Sequence, residues 1–215
     1  MLKNIFVFLI AILLNSFLFA AHPLTTDDAG IVNLGGYEME IGYENGKLED
    51  GLRNHSGGFS LKHGITEKMD IGVSFPYQFM PKNSEPFGNA SLGLKFLLIK
   101  DLFAFSVAND LGASQYFVNG IVTKEILPVT AHLNFGYQSS GDENIAGETI
   151  YSAAIEYPFS GMDVVGEIVG ERAGVENWLA GVRYKLGEKT TFNVAYADKF
   201  KEREDKIIFG FHAEF

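Results

Sequence analysis

Acidic side chains in this sequence recur at even spacing within short segments. Glu38 and Glu40 form one such set, and Asp163, Glu167 and Glu171 form another. In an extended chain, residues two or four positions apart point to the same side. Carboxylates arranged in this way could draw cations into a narrow space or pair with basic groups across it. The spacing therefore predicts charged faces on extended elements.

Catalytic and metal-binding arrangements are scarce. The sequence has five histidines and no cysteine, which excludes disulfides, thiolate nucleophiles and cysteine metal ligands. His132 and His212 lie in alternating segments, but no nucleophile with a base and an orienting group stands out around them. His22, followed by Asp27 and Asp28, is a weak metal-site candidate, because a proline adjoins it and a second histidine is lacking. We expect no catalytic residue, no bound metal and no cofactor.

The formal net charge of the 215-residue chain is −10. Proteins that bind nucleic acids contact phosphates with patches of lysine and arginine, and this sequence has no such patch. We therefore exclude nucleic acid as a partner.

Apolar residues alternate with small or polar ones over most of the chain. In segment 70–78 every odd position is apolar or aromatic and every even position is small or polar. The same period of two occurs in 129–138 and, apart from Ile208, in 207–215. Such segments predict β-strands with one apolar face. We predict twelve strands, at about 37–45, 55–65, 68–79, 89–98, 101–110, 116–125, 128–138, 147–157, 162–172, 176–186, 189–199 and 206–215.

The connections between these segments are alternately short and long. Apart from the brief 173–175, the long ones are also more polar. That alternation is typical of outer-membrane barrels, in which tight turns face the periplasm and longer loops face outward. A soluble β-sandwich would also alternate along its strands, but its polar face would carry more charge than this one does. We predict an all-β, antiparallel, up-and-down transmembrane barrel over residues 35–215, located in the bacterial outer membrane.

The first 21 residues have the order of a secretory signal peptide. Lys3 is followed by an apolar run from Ile5 to Leu14 and by small residues at Ala20 and Ala21. The alternative is an uncleaved anchor, for which the run is short. We predict cleavage of residues 1–21, and we expect residues 22–34 to form a periplasmic leader or a partial plug of the barrel.

Aromatic residues fall near the ends of the predicted apolar faces, as in the interfacial girdles of membrane barrels. They are Tyr37, Tyr43, Tyr77, Tyr137, Tyr157, Trp178, Tyr184 and Tyr196. The last predicted strand ends on Phe215, which resembles the signal read by the outer-membrane assembly machinery. We expect that machinery and the outer-membrane lipid to be partners of the chain.

The polar faces of the strands define the residues expected to line the barrel lumen. They are Glu38, Glu40, Lys62, Asp70, Lys95, His132, Glu156, Glu167, Arg183, Lys185, His212 and Glu214. Closure of the barrel would bring His212 near Glu40, and the hairpin through 173–175 could place Glu167 opposite Arg183. These charges could form a mildly cation-attracting passage, or they could pair with one another and fill the barrel.

Two stretches carry a family resemblance. The first is His22-Pro23-Leu24-Thr25-Thr26-Asp27-Asp28-Ala29-Gly30 with 35–40 after it, and the second covers 62–77 and 88–96. Together they resemble the MetA-pathway phenol-degradation family of outer-membrane proteins. The chain is shorter than usual members, and Asn89 stands where an aspartate is common. The resemblance implies transport of small solutes, including aromatic or other hydrophobic compounds, and no catalytic residues.

Three functions are compatible with the sequence. The first is a narrow outer-membrane channel or transporter for small solutes. The second is a closed barrel with a structural or adhesive role, and the third is an outer-membrane hydrolase, for which a catalytic arrangement is not evident.

Overall fold

The computed structural model of the protein describes residues 22–47, 51–82, 85–201 and 204–215. The expected signal peptide, residues 1–21, lies outside the described residues. The described part contains twelve strands: β1 (Tyr37–Lys47), β2 (Arg53–Thr66), β3 (Met69–Met80), β4 (Ser91–Ile99), β5 (Phe103–Asp110), β6 (Tyr116–Ile126), β7 (Val129–Gln138), β8 (Glu148–Phe159), β9 (Met162–Glu171), β10 (Gly174–Lys185), β11 (Thr190–Lys199) and β12 (Lys206–Glu214). No helix among these residues is long and apolar enough to cross a membrane.

Each strand pairs antiparallel with the next one in sequence, and β12 pairs with β1 to close the sheet. At this seam Glu40 lies opposite His212 and Tyr43 lies opposite Phe209. Each predicted strand overlaps one observed strand, and the ends differ by at most two residues. The predicted twelve-stranded antiparallel barrel is therefore confirmed.

The outer face of the barrel is apolar and its inner face is polar. On β7, Leu133 and Phe135 point outward and are 56% and 67% exposed, while His132 points inward and is 4% exposed. Large apolar side chains on the outside are unfavourable in water and favourable in a hydrocarbon layer. The expected outer-membrane location agrees with this surface.

The two ends of the barrel differ in their connections. At one end, the turn end, the strands are joined by short links such as 67–68, 127–128 and 160–161. In the last of these, Ser160 and Gly161 both have positive φ, at 46° and 83°, as two-residue hairpin turns require. At the other end, the loop end, most connections are longer, including 81–90 and 139–147. In outer-membrane barrels the turn end faces the periplasm.

Strands β3 and β4 pair along only part of their length. Their ladder runs from Met69 to Ser74 on β3, and β3 then continues to Met80 without β4 beside it. The connection 81–90 folds back along this free stretch, because the Gln78 N–H donates to the Pro86 carbonyl at 2.7 Å. This loop covers the edge of β3 and becomes part of the inner wall near the loop end.

Residues 22–34, called the leader below, run inside the barrel. His22 lies at mid-height beside Gly42 of β1 and Gly210 of β12. The leader descends from there to the turn end, where Leu34 forms a parallel bridge with Gly64. Strand β1 begins just beyond this point. The leader therefore occupies the turn-end half of the lumen.

Candidate functional site

The centre of the leader is held by two wall strands. Thr25 and Thr26 donate their backbone N–H groups to Oε1 of Glu167 at 2.9 and 2.5 Å. Asn134 binds the backbone of Asp27 twice, because its Oδ1 accepts from the Asp27 N–H and its Nδ2 donates to the Asp27 carbonyl, both at 2.8 Å. Backbone groups removed from water need such partners. Side chains of β7 and β9 thus provide the hydrogen-bond partners that water would otherwise provide to the leader's backbone.

Three further wall side chains bind the leader's backbone towards its two ends. Arg183 Nε donates to the His22 carbonyl at 2.9 Å, the Ala29 N–H donates to Thr123 Oγ1 at 2.8 Å, and the Val32 N–H donates to Asp70 Oδ2 at 3.0 Å. The leader is therefore bound along its length by five different strands of the wall.

One buried ion pair joins the leader to the wall. Lys95 Nζ lies 2.8 Å from Oδ1 of Asp27, and both side chains are 5% exposed. Burial raises the pKa of the Asp27 carboxyl to about 6, against the opposing effect of the Lys95 ammonium group. Because removing two charges from water costs about as much as their attraction returns, such a pair fixes where the leader sits more than it stabilises the fold.

Apolar side chains of the leader fill the remaining space. Leu24 belongs to a buried cluster with Val165, Leu179, Ala195 and Ile208. Ala29 belongs to a second one with Ala104 and Ile121. Ile208, which interrupts the alternation of β12, is 2% exposed. Ile208 faces the lumen, where it packs against Leu24, and this contact explains an apolar residue at an otherwise polar inward position of β12.

His22 fits into the wall because two glycines face it. A Cβ atom at Gly42 would overlap the His22 ring, and one at Gly210 would lie 2.9 Å from the His22 Cβ. Gly42 and Gly210 are register partners on β1 and β12. The two missing side chains create the recess that receives the start of the leader.

Charged side chains meet at the β1–β12 seam below this recess. Lys62 Nζ lies 2.5 Å from Glu38, and His212 lies 3.3 Å from Glu40 and 3.5 Å from Glu214. Ligand atoms of Glu38, Glu40 and His212 lie within 4.8 Å of one another, as a metal site would require. Lys62 already faces Glu38 in this cluster, so the carboxylates have a counter-charge of their own.

A second charged group lies on β7 to β10. Glu156 accepts a hydrogen bond from Arg183 and lies 3.5 Å from Nε2 of His132. Lys185 pairs with Asp163 at 3.0 Å and is half exposed at the turn end. The lumen charges of this region are therefore paired, Lys185 with the adjacent strand β9 and Arg183 with β8 across β9.

Above the leader, towards the loop end, the lumen widens into a cavity of about 560 Å³. His22 lies at its base, and Glu40, Glu44 and a set of serines on β2, β3 and β4 form one wall. The connections around 85–89, 113–115 and 140–141 complete its rim. The lumen thus consists of an open half near the loops and a filled half near the turns.

The structure places the residues expected in the lumen at different depths. Six are buried: Glu40, Lys62, Asp70, Lys95, His132 and Glu167. Four are half buried: Glu38, Glu156, Arg183 and His212. Lys185 and Glu214 lie at the turn end and are exposed.

One expected pairing is wrong. Arg183 lies opposite Asp163, and Glu167 lies opposite Leu179. The turn between β9 and β10 is tighter than expected, and a bulge between Val175 and Asn177 shifts the register. Arg183 therefore reaches Glu156, and Glu167 is left to bind the leader.

Several contributors were missed because they are uncharged. Asn134 and Thr123 bind the leader, and the serines of β2 to β4 line the cavity. Asn134 occupies an even position of the alternating segment 129–138. Because the even positions of this segment point inward, the period of two would have placed Asn134 in the lumen.

A closed twelve-stranded antiparallel barrel with an apolar outside and a polar inside defines the chain as an outer-membrane β-barrel. Its fold is similar to that of the KdgM porin, with a TM-score of 0.59 and 10% identity over 82% of this chain and 99% of that one. A structure of the KdgM porin in complex with disordered oligogalacturonate gives a TM-score of 0.57, with the same identity and coverage.

The COG4313 outer membrane channel from Pseudomonas putida F1 is also similar, with a TM-score of 0.56 and 10% identity over 87% of this chain and 98% of that one. At such identities the likeness concerns the fold. No protein-family model matches the chain. No curated protein matches it in sequence.

Proposed function

We propose that the protein is an outer-membrane channel for small solutes whose passage is narrowed by the leader. The observation that carries this proposal is the division of the lumen into a cavity of about 560 Å³ and a half filled by residues 22–34. A solute entering from the loop end would reach His22 and would need the leader to shift before it could pass. The protein acts in this proposal without catalysis.

The leader's attachment suits a movable element. Polar contacts to its backbone come from single wall side chains, such as Glu167 and Asn134, and its strand-like pairing is confined to the bridge at Leu34. Neutral hydrogen bonds of this kind contribute about 0.5–1.5 kcal/mol each, and those to a charged group about 1.5–3 kcal/mol. Each of these hydrogen bonds is weak enough to break separately when the leader moves.

Membership in the MetA-pathway phenol-degradation family remains part of this proposal, and with it a preference for aromatic or other hydrophobic solutes. The oligogalacturonate named for the KdgM porin is an acidic sugar chain. Because Glu40 and Glu44 line the cavity of this chain, an acidic solute of that kind would meet like charges here. The chain would fold through the outer-membrane assembly machinery, with Phe215 as its signal, into the outer-membrane lipid.

Conductance in planar bilayers tests the proposal. Deletion of residues 24–34 should raise the single-channel conductance several-fold, because the turn-end half of the lumen loses its filling. A matched control deletes residues 142–145 from an exposed loop, and it should leave conductance near that of the parent. Equal conductance of the parent and the leader deletion would contradict the proposed role of the leader.

The pairing of the lumen charges favours a second candidate, a closed structural barrel. Glu156, Arg183, Lys62 and Glu38 are all engaged with neighbours, as they would be in a barrel that is simply filled. In that case neither the parent nor the leader deletion would pass solutes into liposomes above the leakage of empty vesicles. Loss of the protein would then alter envelope integrity and leave uptake unchanged.

A further inference from the structure

A continuous row of polar side chains crosses five strands at the base of the cavity. The register partners follow one another from β1 to β5 as Glu40, Ser60, Ser74, Ser91 and Asp110. All five are at least nine-tenths buried. Neighbouring strands lie roughly 4.8 Å apart, so the row is a ladder of three hydroxyl groups between two carboxyl groups.

The next inward row towards the loop end has almost no side chains. It consists of Gly42, Gly58 and Pro76, which are register partners on β1, β2 and β3. Above it, Glu44, Ser56 and Gln78 form another polar row. The hollow between the two polar rows therefore results from the glycines, and it opens onto polar groups below and above.

The hydrogen bonds of this wall favour a ligand that donates. Ser91 gives its hydroxyl hydrogen to Asp110, so its oxygen can only accept from a group in the cavity. Ser91 is the only side-chain partner of Asp110 among the described residues. Ser56 is 7% exposed and lines the cavity, and its hydroxyl has no hydrogen-bond partner in the described part of the chain. A buried hydroxyl in that state lacks the partner it needs.

The carboxylates that line the cavity outnumber the cations beside them among the described residues. Among the described residues that line it, the carboxylates are Glu40, Glu44 and Glu85, and no lysine or arginine is among them. Lys206 lies 3.2 Å from Glu44, but Glu85 forms no ion pair within the described residues. A cation entering the cavity is therefore attracted, and an anion is repelled.

Apolar groups also line the cavity. They include Pro76 of β3 and Pro86 of the 81–90 connection. Ligand sites commonly have volumes of roughly 300–1,000 Å³ and combine an apolar lining with a few convergent polar groups. The cavity has both properties.

We propose that this cavity is a binding site for small organic amines, which place a protonated nitrogen among Glu44, Glu85 and the serine row and an apolar body against Pro76 and Pro86. This inference rests on the proposed channel function, because it names the class of solute that the channel would select. The ammonium group supplies donors for the hydroxyl oxygens of Ser56 and Ser91 and a positive charge for Glu85, which has no cation beside it among the described residues.

Three ligands that share one phenol ring test the proposal: tyramine carries an ammonium group, tyrosol a neutral hydroxyl and 4-hydroxyphenylacetate a carboxylate. Calorimetric titration of the full chain in detergent should show tyramine binding about tenfold more tightly than tyrosol, as one charge-assisted hydrogen bond would give. 4-Hydroxyphenylacetate should bind least. Equal affinities for tyramine and tyrosol, or a preference for the acid, would overturn the proposal.

Two substitutions locate the site. Glu85→Gln and Glu44→Gln should each bring the tyramine affinity closer to that of tyrosol, and Glu143→Gln on an exposed loop should not. Glu85 lies outside the strands, so its variant tests the site even if Glu44→Gln disturbs the barrel. An unchanged tyramine preference in Glu85→Gln together with Glu44→Gln would place the binding elsewhere and reject this cavity.

Passage into liposomes separates this inference from the channel function. Tyramine that binds selectively but does not cross the bilayer would contradict the proposed channel and leave the site standing. Tyrosol and tyramine crossing at equal rates, with equal affinities, would support a channel and reject the amine site.

Discussion

The turn-end and loop-end halves of the lumen follow the same alternating pattern and differ in what stands at the inward positions. Near the turns, Lys95, Glu167 and Arg183 are large and bind the leader. Near the loops, the inward positions of β1 to β4 are largely glycine and serine, and a cavity remains. The difference shows that the same barrel can be filled or hollow at a given height, depending on residue size and not on the periodicity of its strands.

The halves also differ in how charge is balanced. In the filled half, Asp27 faces Lys95, Glu156 faces Arg183, and Glu167 accepts from backbone N–H groups of the leader. In the cavity half, Glu44 faces Lys206, but Glu85 and Asp110 have no cation beside them among the described residues. We infer that the turn-end half binds the leader, which is part of its own chain, whereas the loop-end half binds a solute from outside.

The largest effect is expected from breaking the buried ion pair of the filled half. Lys95→Met leaves the Asp27 carboxylate buried without its partner, which costs about 3–5 kcal/mol in comparable cases. Because the chain has no cysteine, Thr26→Cys provides a single buried thiol on the leader, and its rate of alkylation reports release. We expect Lys95→Met to accelerate this alkylation more than about a hundredfold.

The control for this variant is Lys185→Met, because Lys185 pairs with Asp163 at the exposed turn end. A surface pair contributes about 0–1 kcal/mol, so alkylation should change little. Adding Asp27→Leu to Lys95→Met should slow alkylation again, since no buried charge remains. Parent-like protection of the thiol in Lys95→Met alone would show that the pair does not hold the leader.

A smaller effect is expected from the neutral partner of the leader. Asn134→Ala removes the two hydrogen bonds to the backbone of Asp27 and leaves both groups unsatisfied, at about 1–3 kcal/mol. Alkylation of Thr26→Cys should rise about ten- to a hundredfold. Asn144→Ala, on an exposed loop, is the matched control and should have no effect. Similar rates in the two alanine variants would argue against a role for Asn134.

The strands could be predicted from the sequence because their alternation is a local property of each segment. The period of two in 70–78 and 129–138 places side chains inside or outside before any pairing is known. Ile208 interrupts the pattern, and only the folded barrel shows the reason, which is an apolar cluster with Leu24 of the leader.

Pairing across strands could not be predicted with the same success. Arg183 was expected opposite Glu167 and lies opposite Asp163, since one bulge in β10 changes the register of the residues below it. The serine row depends on four successive registers, and an error in any one of them would have dispersed it. The path of the leader follows from side chains on six strands, β3, β4, β6, β7, β9 and β10, so no local pattern in residues 22–34 encodes it.

A modest effect is expected at the junction between the two halves. A Cβ at Gly42 would overlap the His22 ring, so Gly42→Ala should push the start of the leader out of its recess. The ring can rotate, and we therefore expect only a few-fold rise in alkylation of a thiol placed by Thr25→Cys. Gly58→Ala is the matched control, because a Cβ there meets its nearest atom, the Phe75 carbonyl oxygen, at 3.6 Å. Equal rates in the two variants would mean that the glycine recess does not position His22.

The smallest effect on the leader is expected from the cavity wall. Ser74→Ala removes one hydroxyl from the serine row. Among the described residues, the side chains that bind the leader are those of other positions, so alkylation of Thr26→Cys should match the parent. The tyramine affinity should fall about threefold, since one neutral hydrogen bond contributes about 0.5–1.5 kcal/mol. Asn134→Ala should give the opposite pair of results, with a freed leader and an unchanged tyramine affinity. Ser74→Ala and Asn134→Ala could instead each change both the alkylation rate and the tyramine affinity. The two halves of the lumen would then act as one site, and the division between a wall that holds the leader and a wall that binds a solute would be wrong.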